Sequence, residues 1–374
     1  MSMSSLAPVT VHSPALFKDL AQIARPFSDE LAEVRRIIAE RVFREESFAD
    51  LLAATGEKAR WDRLALPPWL EGILYQTPLN YESKTRAMAE HMMARGGKLL
   101  RATLILAILR ALAAGERRGP KLAAAMELIH LATLLHDDVI DRADVRRGSP
   151  SLPFLYDNSP TVLMGDHLFA RAFELIAECG EMEIISSSCR ATSAMCRGEV
   201  EQLQWIGRPD VPQAAYFHLI EMKTAALMAS CAESAAILGA GNGSRIPWYR
   251  FGLTLGMLFQ MTDDLLDFIA DETALGKQTG SDAAAGKYTL PLILFRERLG
   301  GPEELRSFLT RASTADVVRR SLEENGILDE VRDRLRELAD TCHSCLDDLV
   351  VPNIREPLFR PLHDLVDFVL LRDH

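Results

Sequence analysis

Apolar positions recur at helical spacing along most of the chain. Leu31, Val34, Ile38 and Val42 mark one face of a segment between residues 17 and 54. Gly56, Pro67, Pro68 and Pro78 then break the pattern, so residues 55–80 read as a loop-rich connector. From Tyr81 the spacing predicts helices over 82–94, 97–114, 119–143, 159–179, 183–206, 212–239, 246–270 and 285–298, with shorter ones to 372. Glycines and prolines mark the breaks, at Gly96-Gly97, 115–120, Gly148-Ser149-Pro150, 207–212, 239–243 and 271–285. Alternating Val/Ile/Thr runs are nearly absent and no fixed repeat is visible. The pattern therefore predicts an all-α, single-domain bundle of about a dozen helices. Residues 1–15 read as a flexible tail, 16–80 as N-terminal helices plus connector, and 81–374 as the main helical part of the same domain. Residues 225–240 are apolar on most faces and should be buried. Their small side chains suit close packing, within one subunit or between two.

Composition narrows the class. The 374 residues are 48% apolar and 25% charged, which is ordinary for a globular protein. A net charge of -11 with no basic stripe argues against nucleic acid as a partner. Six cysteines at 179, 189, 196, 231, 342 and 345 form no disulfide framework and suit a reducing, cytoplasmic setting. Cys342 and Cys345 have the CxxC spacing, but they lack a second ligand pair and read as ordinary packing. No apolar run reaches transmembrane length; 102–109 is short and flanked by Arg101 and Arg110. The opening MSMSSLAPVT lacks the basic and apolar regions of a signal peptide.

Two stretches carry candidate chemistry. Residues 127–151, ELIHLATLLHDDVIDRADVRRGSPS, set Asp137, Asp138 and Asp141 at the end of an apolar helix. Residues 260–267, QMTDDLLD, repeat the device with Asp263, Asp264 and Asp267. Helical spacing puts Asp137 with Asp141, and Asp263 with Asp267, on one face. Ionised carboxylates this close repel, and their burial is costly without a counter-charge. A solvated acidic face would explain either motif alone, but the apolar lead-ins LATLLH and GMLFQM make that a poor account of both. Carboxylate oxygens are hard ligands, and magnesium usually takes one or two from protein and the rest from water and phosphate. Bases flank these helices. Gly96-Gly97-Lys98 precedes a helix whose first turn bears Arg101, so backbone amides and two cations can meet an anion there, although taken alone a flexible turn with solvent-facing bases is the commoner reading. His130 lies two turns before Asp137, and Arg146-Arg147 follow the helix with forks suited to phosphate. Lys223-Thr224 fall mid-helix among small residues, where a buried lysine needs an anionic partner. Lys277 and Lys287 bracket GKQTGSDAAAGK, which lacks P-loop spacing.

GGKLLRA, HLATLLHDDVIDRADVRRGSPS, VLMGDHLFARAF, GEVEQL, KTAALMASCA, FQMTDDLLDF and GKQTGSDAAAGKYTLPLI occur in that order. With these motifs the chain resembles the trans-isoprenyl diphosphate synthases, or polyprenyl synthetases, over about residues 86–294. The resemblance implies the isoprenoid-synthase bundle with a central active-site cavity, and a catalytic domain over 81–374. It implies condensation of isopentenyl diphosphate with an allylic diphosphate by a homodimer. Metal ions would be held by Asp137, Asp138, Asp141, Asp263, Asp264 and Asp267. The ion implied is Mg2+, three ions once substrate is bound, with Mn2+ as a substitute. Arg146, Lys223, Thr224, Gln260 and Lys277, with Lys287 as an addition, match positions on the allylic diphosphate. Lys98, Arg101, His130 and Arg147 match the isopentenyl diphosphate site. Two departures are Leu99, often basic in the family, and Ala102, usually proline.

The same resemblance implies that side chains before Asp137 floor the pocket for the growing tail. Ala132 and Thr133, then Ile129 and Met126, carry no aromatic plug, so a product of C20 or longer is expected. Release of so greasy a product would bring transient membrane contact. Three other readings compete. A class I terpene cyclase would replace DDLLD with an Asn/Ser/Glu-type motif and have no need of Lys98 and Arg101. A subunit of a heteromeric synthase should have eroded aspartates. A purely metal-binding bundle would bind magnesium without diphosphate.

Overall fold

The computed structural model describes residues 19–43, 84–94, 97–146, 148–241, 243, 245–269, 280–312, 314–349 and 356–372. The expectations for the 1–15 tail, the 55–80 connector, Arg147 and Lys277 fall outside them.

The described residues form an α bundle. At its N-terminal side stand α1 (Leu20–Ala24), α2 (Ser28–Phe43) and α3 (Lys84–Met93). The stripe Leu31, Val34, Ile38 and Val42 is buried, as its spacing required. Next come α4 (Leu100–Ala111) and the long α5 (Gly119–Ile140), which ends one residue before Asp141. The sequence pattern predicts this helix to 143, whereas Asp141 is its C-cap residue. A tight hairpin follows, β1 (Val145–Arg146) against β2 (Ser149–Pro150), antiparallel with Arg146 opposite Ser149. Then come α6 (Leu152–Tyr156), α7 (Asn158–Glu178) and α8 (Met182–Leu203).

The helix expected over 212–239 is divided. It comprises α9 (Gln213–Ile220), one wide π turn (Glu221–Ala225) and α10 (Ala226–Ala240). Every residue from Ala226 to Leu238 is buried, which makes α10 the central helix. It packs against α4, α8 and α11 (Arg245–Ile269). Gly252 of α11 makes that last approach feasible, since a Cβ there would lie 2.6 Å from the Met228 carbonyl oxygen. The small residues of 225–240 thus serve packing inside the subunit.

The segment expected as one helix over 285–298 begins later, at α13 (Leu290–Leu299), after a single turn, α12 (Ser281–Ala284). The chain closes with α14 (Pro302–Arg311), α15 (Ala315–Glu324), α16 (Ile327–Leu349) and α17 (Arg360–Leu371). Helices α16 and α17 both pack on α11, so the chain's last helix touches the one bearing the second acidic motif. Cys342 and Cys345 are free thiols within α16. Burial pushes the Cys342 thiol far up, and it acts as core. No helix among the described residues is long and apolar enough to cross a membrane.

Candidate active site

The acidic ends of α5 and α11 are joined by the turn between α12 and α13. Lys287 donates to both carboxylate oxygens of Asp141, at 3.0 and 3.1 Å. Its own backbone N–H donates to the Asp282 carbonyl at 2.8 Å, and the Asp282 N–H donates to the Asp267 carboxylate at 3.1 Å. A second tie runs from the Gly280 N–H to the Asp267 carbonyl, at 2.7 Å. The two acidic motifs, more than a hundred residues apart, therefore meet in one cleft.

The six aspartates are not equivalent. Asp138 is buried and accepts a 2.9 Å bond from Arg146, which the β1–β2 hairpin presents. Asp264 is also buried, accepting from the Tyr216 hydroxyl at 2.6 Å and the Gln260 amide at 2.8 Å. Thr224 donates to the Gln260 carbonyl oxygen at 2.6 Å, completing a chain from the π turn into α11. Asp141 and Asp263 are more open, with side chains 41% and 42% exposed. Asp137 is half-buried, and Asp267 is nearly buried.

Protein cations stand among these carboxylates. Lys223 contacts Glu199 and Gln202 of α8. Gly198 lets its turn approach, since a Cβ there would sit 2.9 Å from Met222 and Lys223 side-chain carbons. Asp263 meets Arg372 at 2.6 Å, just beyond α17. Burial and the neighbouring Glu199 carboxylate push Asp137 up to about 6, with Asp141 adding, although Lys223 and Arg146 oppose them. Burial likewise raises Asp264, and nearby Asp282 adds to it. Burial pulls Lys287 down, but contact with Asp141 more than offsets that and holds the ammonium above its usual range. Among the described residues these cation contacts thus leave Asp137 and Asp264 with raised carboxyl groups.

Raised carboxyl groups in a cluster of aspartates fit a hard divalent cation, whose arrival favours their ionised form. Among the described residues no three ligating groups converge on one point. Magnesium tolerates this, because it binds through one or two carboxylates with substrate oxygens and water completing its shell.

Asp137 also sets a pH test. Its folded value of about 6 exceeds the ordinary 3.8, so the associated stability is full below the ordinary value and lost as pH rises through about 6. Asp137→Asn removes that loss. The metal-free variant should melt together with wild type in acid and above it at neutral pH, by at most about 3 kcal/mol. Paired thermal melts across that range check it; a gap independent of pH refutes it.

The other expected anion site lies at the start of α4. Arg101 is buried, and its Nε has no hydrogen-bond partner among the described residues. An orphaned guanidinium nitrogen is costly without an acceptor to meet it. Glu127, one turn before His130, accepts the Ala102 N–H at 3.0 Å and so docks the turn bearing Arg101 onto α5. Leu99 caps the start of α4 with φ 51°, a left-handed conformation for a non-glycine residue, and Lys98 beside it is exposed. His130 is half-buried on the Asp137 face. Of the tail-pocket candidates, Met126, Ile129 and Ala132 have no exposed surface, whereas Thr133 is half-buried.

Glu199, Gln202, Tyr216, Asp282 and Arg372 had drawn no role from the sequence. Glu199 and Gln202 sit in GEVEQL, which contributed only to the resemblance. Tyr216 and Arg372 reach the site through tertiary contacts that no local spacing signals.

A family model described as polyprenyl synthetase matches residues 82–324. The chain is 35% identical over 279 residues to the all-trans-nonaprenyl-diphosphate synthase (geranyl-diphosphate specific) of Rhodobacter capsulatus, spanning 73% of this chain and 85% of that relative. It is 39% identical over 246 residues to heptaprenyl diphosphate synthase component 2 of Geobacillus stearothermophilus, covering 62% and 77%. The crystal structure of a polyprenyl synthase from Caulobacter crescentus CB15, complexed with calcium and isoprenyl diphosphate, superposes with a TM-score of 0.77 at 31% identity, over 96% of this chain and all of that one. The chain belongs to the polyprenyl synthetase family and is a trans-prenyltransferase.

Proposed function

We propose that this enzyme joins isopentenyl diphosphate head to tail to an allylic diphosphate in a magnesium-dependent reaction, making trans products of C20 or longer. The observation that carries this reading is the 280–287 turn, which ties Asp141 and Asp267 into one cleft beside Lys223 and Lys287. Asp137, Asp141, Asp263 and Asp267 would hold the metal, and Asp138 and Asp264 would brace them through Arg146 and through Gln260 and Tyr216. Bound magnesium supplies neutralisation of the negative charge that grows on the allylic diphosphate as its C–O bond breaks. Lys223, Thr224, Gln260, Arg146 and Lys287 orient that diphosphate from the α8–π-turn–α12 side. Lys98, Arg101 and His130 hold isopentenyl diphosphate at the mouth of α4, and the orphaned Arg101 Nε supports that assignment. The apolar stretch of α5 ahead of Asp137 keeps water from the allylic cation, where capture would be a side reaction. The isopentenyl double bond attacks the cation, and the departing diphosphate accepts the proton then lost. No protein nucleophile is required.

Product length beyond C15 is supported by the absence of an aromatic side chain at Ala132 and Thr133. The named products of two relatives, nonaprenyl and heptaprenyl diphosphates, point the same way. The working unit is a homodimer, for which exposed Phe154, Leu155, Val162 and Leu163 on α6 and α7 offer an apolar face.

The test incubates the purified chain alone with magnesium, labelled isopentenyl diphosphate and farnesyl diphosphate, and separates the products by length. Products beyond C15 are expected. A sole C15 product from shorter primers would overturn the length assignment. Turnover only after adding a second chain would instead favour the heteromeric reading, which the name component 2 in one relative makes specific.

A further inference from the structure

The chain's last described residue reaches the metal cleft. Arg372 follows α17, and its Nη2 lies 2.6 Å from Asp263 Oδ1 and donates to the Phe259 carbonyl at 2.7 Å. The guanidinium carbon sits 3.8 Å from the Phe259 ring centroid, a stacking distance. Phe259 and Asp263 are one turn apart on α11, so a single planar group grips one turn of that helix by carboxylate, carbonyl and ring face. The Arg372 side chain is only 10% exposed, while that of Asp263 is 42% exposed.

This grip differs from the lysine–carboxylate contacts in the site. Lys287 and Lys223 are flexible point charges, 21% and 24% exposed, able to turn from carboxylate to diphosphate when substrate arrives. Arg372 cannot turn without giving up all three contacts at once. Magnesium demands near-ideal octahedral geometry and therefore an oriented ligand. Outer contacts that fix a ligating carboxylate are worth about 10–100-fold in metal affinity or activity.

We propose that Arg372 is a positioning residue for Asp263, pinning Oδ1 so that the remaining oxygen is fixed for the metal. The C-terminal helix is thereby coupled to the metal site. The proposal rests on the reading of Asp263 as a metal-holding carboxylate.

A second role for the same contact, simple counter-charge, makes the opposite prediction. If Arg372 only neutralised Asp263, its removal would leave a freer negative charge and tighten metal binding. If it positions Asp263, removal loosens metal binding despite the gained charge. The experiment compares wild type, Arg372→Met, Arg372→Lys and Asp263→Asn in the full chain. Manganese binding in the presence of methylenediphosphonate is followed by electron paramagnetic resonance, alongside the magnesium concentration for half-maximal turnover. Arg372→Met should weaken manganese binding and raise the magnesium midpoint by about tenfold. Arg372→Lys, which keeps the charge and loses the fork and the stack, should recover only part of that. Thermal melts of both variants report any general loss of fold. Unchanged or tighter manganese binding in Arg372→Met overturns the proposal. Unchanged binding in Asp263→Asn overturns the reading beneath it, so the two failures are distinguishable.

Discussion

Asp137→Asn should lower turnover by about 10³-fold or more while leaving the fold intact. Asparagine keeps the size and one acceptor oxygen of the aspartate but removes its charge. The fold has no use for that charge, because burial and Glu199 already push the Asp137 carboxyl up to about 6. Only a cation arriving with substrate makes the ionised form favourable, so the loss should fall on chemistry rather than stability. Asp138→Asn is the informative contrast. Asp138 is buried against Arg146 at 2.9 Å, and replacing its charge with a neutral amide leaves that guanidinium without an anionic partner. That change should lower melting temperature and misplace Arg146, so its activity loss arrives with a stability loss. Steady-state incorporation of labelled isopentenyl diphosphate, with melts on the same samples, separates the two cases. An Asp137→Asn enzyme within tenfold of wild type would remove Asp137 from the metal set.

The contrast between these neighbours was not legible in the sequence. Periodicity placed both on an apolar helix and predicted that Asp137 shares a face with Asp141. It could not tell that Asp138 turns inward, because its partner Arg146 is delivered by a hairpin eight residues on. The fold class was legible for a simple reason: long 3.6-residue patterns punctuated by Gly and Pro leave few alternatives to a helical bundle. The divided helix around Lys223 was not, since a π turn preserves apolar periodicity on both sides and changes only its phase. Wide turns of this kind occur at functional sites, and this one hands Thr224 to Gln260. Asp263 and Asp264 show the same limit. The spacing gives them one motif, whereas Tyr216 and Arg372, from distant helices, assign one to the interior and the other to the cleft.

The second large effect expected is on product length. Successive residues of a helix turn by about 100°, so Thr133 lies about 40° from Asp137, His130 and Met126 about 20°, Ile129 about 80° and Ala132 about 140°. Exposure follows the first part of this map. Thr133 is half-buried on the Asp137 side, and Ala132 is enclosed. A tail growing down the wall of α5 from the Asp137 end meets Thr133 after one turn, about 5.4 Å, comparable to one extended isoprene unit. Thr133→Phe therefore puts a ring across the path and should shift the product from beyond C15 to C15 or C20, with total turnover kept within about tenfold. Ala132→Phe must enter a packed flank and should shorten the product at a stability cost of about 1–3 kcal/mol. Met126 and Ile129 have no exposed surface, so a long tail has to open its own way between them and their neighbours. Met126→Ala then lengthens the product in an otherwise wild-type chain. Combined with Thr133→Phe it changes nothing, because the introduced ring stops the tail first. Chromatography of the products from geranyl diphosphate, a primer shorter than C15, reads all four cases. Unchanged length in Thr133→Phe would move the tail's path off the Asp137 face of α5 altogether.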